Sequence, residues 1–150
     1  MTIAIGSCSK MSSEIVEIVE RIPTVSEYQF LRASVGWHNH SATIVERSLQ
    51  NSLYSVCAID CDLVVGYGRV VGDGYLYFYL QDVMVLPDYQ GRGIGYRITK
   101  KIHNYVLSIA QPGTFFGLMA AAGAASMYEK FGFQRRPDTM PGMFIWIGAS

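Results

Sequence analysis

Two hydrophobic periods alternate along this chain. Ile15, Val16, Ile18 and Val19 lie among glutamates and stop at Pro23, the pattern of a first strand. Thr24, followed three residues later by Glu27, forms a capping box. Val25, Tyr28, Leu31 and Val35 then recur on one face, which predicts a helix to about Ser34. A second short helix is expected over 42–50. Strands over 53–59 and 63–71 follow, joined by a tight turn through Asp60, Cys61 and Asp62. Gly72-Asp73-Gly74 marks a hairpin, because φ > 0 costs little there. It opens a long aromatic strand from Tyr75 to Leu86, stopped by Pro87. The period then changes. Ile94, Ile98, Ile102, Tyr105 and Ile109 predict an amphipathic helix over 92–109. A strand over 115–119, a helix over 124–131 and closing strands over 133–136 and 143–147 complete the chain. The order is β-α-α-β-β-β-α-β-α-β-β, an α/β (α+β) class with helices on the faces of a mixed sheet.

Length and composition narrow this picture. At 150 residues the chain fits one domain, with residues 1–13 read as a loose tail. Half of the residues are hydrophobic, enough to build a core. A net charge of zero argues against a nucleic-acid partner, and it turns the aromatic run Tyr75, Tyr77, Phe78, Tyr79 into strand packing rather than a base-stacking surface. No apolar run approaches 18 residues and no basic leader precedes one, so a cytoplasmic protein without membrane contact is expected. The three cysteines lack a CxxC pair and read as reduced thiols rather than a disulfide framework or zinc site. His38 and His40 stand without a neighbouring Cys or acidic partner, so no metal is expected.

The chemistry concentrates in VMVLPDYQGRGIGYRI, residues 83–98. A strand ends, a glycine-rich loop follows, and a helix opens. Gly91, Gly93 and Gly95 remove side chains from the path of a ligand. The first helical N–H groups are unpaired and carry the positive end of the helix dipole. Such a strand–loop–helix is a pyrophosphate cradle. Arg92, Arg97, Lys100 and Lys101 supply the local positive charge that the neutral whole lacks.

Gln90-x-x-Gly93-x-Gly95 after Val85-Leu86-Pro87 closely resembles the acetyl-CoA loop of the GNAT superfamily of N-acetyltransferases. MYEKFGF, residues 127–133, resembles that family's late helix-to-strand motif, and the element order agrees from Glu14 to Ile147. The resemblance implies a splayed sheet, acetyl-CoA as co-substrate, and transfer of acetyl to a primary amine of a small molecule or peptide. It implies that backbone groups of Val83, Met84 and Val85 hold the pantetheine arm, with the Val85 N–H polarising the thioester carbonyl. It implies that Gln90, Gly91, Arg92, Gly93, Ile94, Gly95 and Tyr96 wrap the pyrophosphate. Tyr128 then stands as the general acid near the CoA sulfur. Where many relatives carry Asn, seven residues before that tyrosine, this chain has Ala121, which removes one contact to the CoA arm.

An alkylamine with a pKa of about 10.4 is neutral in only roughly one molecule in 10³ at pH 7, so a base or a desolvating pocket is needed. Relatives often place a Glu on the long strand where this chain has Tyr79, which with Trp37 is a candidate for the acceptor pocket. Asp82 is the nearest carboxylate on that strand, either a base or a structural cap. Glu27, His38, His40, Glu129 and a water chain are the other candidates. A cysteine nucleophile is disfavoured, since Cys57 and Cys61 precede the loop motif on or beside a strand. The reading from another class is a non-catalytic acetyl-CoA sensor. Oligomeric state stays open, and an exposed edge near 143–147 would suit a homodimer.

Overall fold

The computed structural model describes residues 15–148, so the tail expected over 1–13 lies outside them. The chain divides into two compact units, one ending at Met119 and one beginning at Ala120.

The first unit is a five-stranded sheet in the order β1-β2-β3-β4-β5. Its strands are β1 (Glu17–Glu20), β2 (Tyr54–Asp60), β3 (Leu63–Gly72), β4 (Tyr77–Val85) and β5 (Phe115–Leu118). The first three pairings are antiparallel and β4–β5 is parallel. A parallel pair needs a crossover, and helix α3 (Ile94–Ile109) supplies it. Helices α1 (Val25–Ser34) and α2 (Ala42–Gln50) lie between β1 and β2 in sequence. The capping box forms as expected. Thr24 Oγ1 accepts from the Glu27 N–H at 3.1 Å, and Glu27 Oε2 accepts from the Thr24 N–H at 2.8 Å.

Two boundaries shift for visible reasons. β4 starts at Tyr77 rather than Tyr75 because Asp73 Oδ1 accepts from the N–H groups of Tyr75, Leu76 and Tyr77 at 2.8, 2.8 and 3.0 Å. These bonds curl the hairpin before the ladder begins. α3 starts at Ile94 because Gly93, at φ +77°, is left-handed and stands outside the helix.

Helix α3 packs on one face of the sheet through Ile98 and Ile102, both fully buried. Burying side chains of this size stabilises by about 1.5–3 kcal/mol each. The approach is close because β3 presents Gly66 and Gly68 there. A Cβ on Gly68 would sit 2.7 Å from Ile98 Cγ2 and 3.1 Å from Ile102 Cδ1. Helix α1 lies on the other face against β3 and β4, bringing Tyr28 and Leu31 into the core. Cys57 is a buried free thiol. Cys61 is disulfide-bonded, which corrects the expectation of reduced thiols at that position.

The second unit contains one short helix, α4 (Ala125–Glu129). Tyr128 is buried and meets Phe133 edge to face, with ring centroids 6.2 Å apart. The closing strands expected over 133–136 and 143–147 are not formed. Two strands alone make a marginal hairpin. Between them, Pro137 and Pro141 cannot donate to a ladder, and Arg136 Nε holds the Met140 carbonyl at 2.5 Å. Met143, Phe144, Ile145, Trp146 and Ile147 are all exposed.

Candidate functional site

The site begins at an irregularity in β4. Tyr67 pairs with Met84 and Arg69 with Gln81, so Gly68 alone faces both Asp82 and Val83. This is a β-bulge, and its extra residue is Asp82 at φ +58°. Left-handed backbone costs a side-chain-bearing residue roughly 1–2 kcal/mol, least for Asn and Asp. Strict alternation after Gln81 would turn Asp82 toward α3. The bulge instead keeps it on the α1 face, where Gln81 lies opposite Arg69.

On that face Asp82 is clasped. Its Oδ2 accepts from the Tyr28 hydroxyl at 2.7 Å and from Arg69 Nε at 2.9 Å. Oδ1 lies 3.4 Å from Gln81 Nε2 and 3.9 Å from Arg32 Nη1. Asp82 and Arg69 are 4% and 8% exposed, so the pair is desolvated. Breaking such a pair by removing one partner costs about 3–5 kcal/mol, although the pair itself stabilises little. Arg69 also reaches α2, donating from Nη1 to Ser48 O at 2.9 Å, Ser48 Oγ at 3.1 Å and Ser52 Oγ at 3.2 Å. Burial, with the Asp82 charge second, raises the pKa of Tyr28 and keeps its proton in place as a donor.

The bulge lies where the sheet parts. β5 pairs with β4 only from Tyr77–Phe115 to Leu80–Leu118. Beyond Leu80, among the described residues, no strand covers that side of β4. The Leu86 N–H donates to Val65 O at 2.8 Å, so Leu86 faces β3. Alternation then turns the N–H and C=O of Val85, and of Val83 before it, toward the open side. Gln90 Nε2 meets the Val85 carbonyl there at 3.0 Å. Met84 is buried with its backbone directed to β3.

The open edge leads into the glycine loop. A single 3-10 turn, Pro87–Tyr89, is moored by the Tyr89 hydroxyl on Asp60 Oδ2 at 2.6 Å. Arg92 Nη2 donates to Asp88 O at 2.9 Å, and its guanidinium lies 4.9 Å from the Tyr89 ring centroid. Gly91 and Gly93 both stand at φ +77°, and a Cβ at either would meet nothing within 4 Å. Among the described residues, nothing crowds the loop at these two glycines, at the α3 N-terminus. Ile94 is buried beneath it, while Gln90, Arg92 and Tyr96 lie at the surface. These residues fit a diphosphate with an extended arm: a helix N-terminus at one end and, at the other, a strand edge that no neighbouring strand pairs among the described residues.

Tyr79 lies opposite Val71, on the α1 face with Arg69 and Gln81. Trp37, in the loop between α1 and α2, takes the Arg32 guanidinium 5.5 Å from its ring centroid, and Arg32 Nε donates to His38 O at 2.8 Å. Among the other base candidates, Glu27 is engaged by Arg21 at 2.9 Å and by the cap of α1. Burial pushes the Glu27 carboxyl up, but the Arg21 and Thr24 hydrogen bonds outweigh it and leave its pKa lowered. Glu129 pairs with Arg135 at 2.6 Å.

Residues 50–135 match the profile of the acetyltransferase (GNAT) domain. The chain belongs to the GNAT acetyltransferase family. This acetyltransferase is 31% identical over 123 residues to the uncharacterized N-acetyltransferase ycf52 of Pyropia yezoensis, covering 79% of its own length and 69% of that protein's. It superposes on a probable acetyltransferase of unknown function from meticillin-resistant Staphylococcus aureus with a TM-score of 0.83, at 33% identity and with 88% of this chain and 99% of that one covered. A GNAT-family acetyltransferase from Streptococcus pneumoniae gives a TM-score of 0.72 at 28% identity, with coverages of 91% and 100%. The acetyltransferase is thus an acetyl-CoA-dependent acyltransferase with an open, mixed sheet. The profile match includes the bulge, the open edge and the glycine loop. Two members of the clasp, Arg69 and Tyr28, were not singled out by sequence reasoning. A lone arginine in the apolar strand LVVGYGRVVG, beside a lone aspartate in YFYLQDVMV, was the available signal.

Proposed function

We propose that this acetyltransferase transfers acetyl from acetyl-CoA directly to a primary amine of a small molecule or peptide. The observation that carries the reading is the open edge at Val83–Val85 running into a glycine loop, left-handed at Gly91 and Gly93, at a helix N-terminus. In this reading the pantetheine arm pairs with the edge as an added strand, and the loop Gln90–Tyr96 receives the pyrophosphate. Acetyl-CoA supplies an electrophilic carbonyl with a thiolate leaving group. The Val85 N–H, directed to the open side, stabilises the carbonyl oxygen as charge develops on it. The ammonium loses one proton to solvent or to a base, the neutral nitrogen bonds to the carbonyl carbon and sheds a second proton to solvent, and the carbon–sulfur bond breaks. By the family's pattern, Tyr128 gives the sulfur a proton and regains one from solvent. Burial raises the pKa of its phenol, so it is protonated throughout the neutral range and able to act as the acid. Tyr79 and Trp37 line the acceptor side.

The test is CoA-thiol release from acetyl-CoA across a panel of amines, wild type beside Tyr128→Phe, with acetyl-CoA affinity measured by calorimetry. Amine-dependent release that falls roughly 10²-fold or more in the variant, at nearly unchanged affinity, is expected of a general acid. Equal turnover removes Tyr128 from the mechanism. Tight acetyl-CoA binding with no release for any amine points to a sensor instead.

A further inference from the structure

We infer that Asp82 is a positioning residue, the clasp that holds β4 open for the donor arm through Arg69 and Tyr28. The inference rests on the donor reading of that edge. Four observations converge. Asp82 is the extra residue of the bulge and is left-handed at φ +58°. The bulge begins two residues beyond Leu80, the last β4 residue paired with β5. The carboxylate is 4% exposed, and both close hydrogen bonds fall on one oxygen, from groups on α1 and β3. Arg69 carries the tie onward to the C-terminal turn of α2.

The physical logic follows from these positions. A bulge is retained only where its surroundings over-determine the strained residue. Without the clasp, a regular β4 would turn residue 82 toward α3 and shift the register of every residue after it by one. Val83 and Val85 would then face β3, and the open edge would present other backbone groups. The clasp thus sets which N–H groups face outward. Asp82 cannot readily serve as a base there, because its better-placed oxygen already accepts two hydrogen bonds and the residue has almost no contact with solvent.

The experiment uses the full chain and acetyl-CoA alone, so no acceptor need be known. Asp82→Asn keeps the shape, the left-handed tolerance and one acceptor oxygen. It leaves Arg69 without its counter-charge and lowers stability, so its affinity is read on protein shown to be folded. Its dissociation constant for acetyl-CoA is expected within about threefold of wild type, and any turnover keeps the acidic limb of its pH profile. Asp82→Ala loses the clasp and is expected to raise the constant at least tenfold. Tyr28→Phe removes one hydrogen bond and should raise it two- to fivefold; it decides the matter if Asp82→Ala does not fold. Unchanged affinity in Asp82→Ala, or in Tyr28→Phe when that variant stands alone, overturns the inference. So does an Asp82→Asn protein with unchanged affinity whose turnover falls 10²-fold and whose acidic limb disappears, which would make Asp82 the base. Wild-type protein that fails to bind acetyl-CoA overturns the donor reading and the clasp with it.

Discussion

Single side chains show how burial sorts reactive groups from inert ones. Burial is the main cause that pushes the Cys57 thiol from its ordinary value of 9.0 up to about 11. At pH 8 the thiolate fraction is then about 10⁻³ instead of 10⁻¹, so alkylation of Cys57 by iodoacetamide should run roughly a hundredfold slower than for free cysteine. Peptide mapping after timed labelling checks this, and labelling at the free-thiol rate would reopen a cysteine route. Any stability gained from the buried neutral thiol is full below pH 9.0 and is lost as pH rises through about 11. Glu27 runs the opposite way. Its lowered pKa means that the cap and its Arg21 pair stabilise above the ordinary 4.5 and lose that effect as pH falls through the lowered value. Glu27→Gln should lower Tm by about 2–4 °C at pH 7, with the gap to wild type narrowing as the pH falls below the ordinary 4.5. A gap that persists in acid would mean the loss is steric.

At the scale of elements, legibility followed the reach of the signals. The capping box, the helix over 42–50 and the 3.6-residue period of α3 are local, and the structure carries all three. The glycine loop was equally visible as the break between strand and helix, since it is written in consecutive residues. The strands expected over 133–136 and 143–147 were not, because alternation of apolar residues shows that a segment can pair and says nothing about a partner. The clasp lay beyond reach for a related reason. Tyr28, Arg69 and Asp82 are 54 and 13 residues apart in sequence along its two close bonds, and a bulge leaves no mark on a hydrophobic pattern. One element-level requirement can be tested directly. Gly68→Ala puts a methyl 2.7 Å from Ile98 Cγ2 and 3.1 Å from Ile102 Cδ1, so these side chains or α3 itself must shift. A loss of about 1–3 kcal/mol in denaturant unfolding is expected. Because the glycine loop opens the same helix, acetyl-CoA affinity should fall as well. A variant as stable as wild type would show that Ile98 can move aside.

Across the whole chain, the described residues include no helix long and apolar enough to cross a membrane. The first unit holds a buried core on both faces of its sheet, whereas the second leaves five consecutive large apolar residues, Met143 to Ile147, at the surface. The two tryptophans divide between the units, which has a practical consequence in the spectrometer. Trp37 lies against the Arg32 guanidinium in the first unit, while Trp146 is 77% exposed beside Phe144 in the second. Trp146 should emit as a hydrated indole and be quenched freely by acrylamide. Trp37, flanked by a cation, should be less accessible to quencher and poorly quenched by a positively charged ion such as caesium. Replacing Trp146 with Phe therefore leaves a chain whose remaining indole fluorescence reports on the loop between α1 and α2 alone, an optical handle that needs no label.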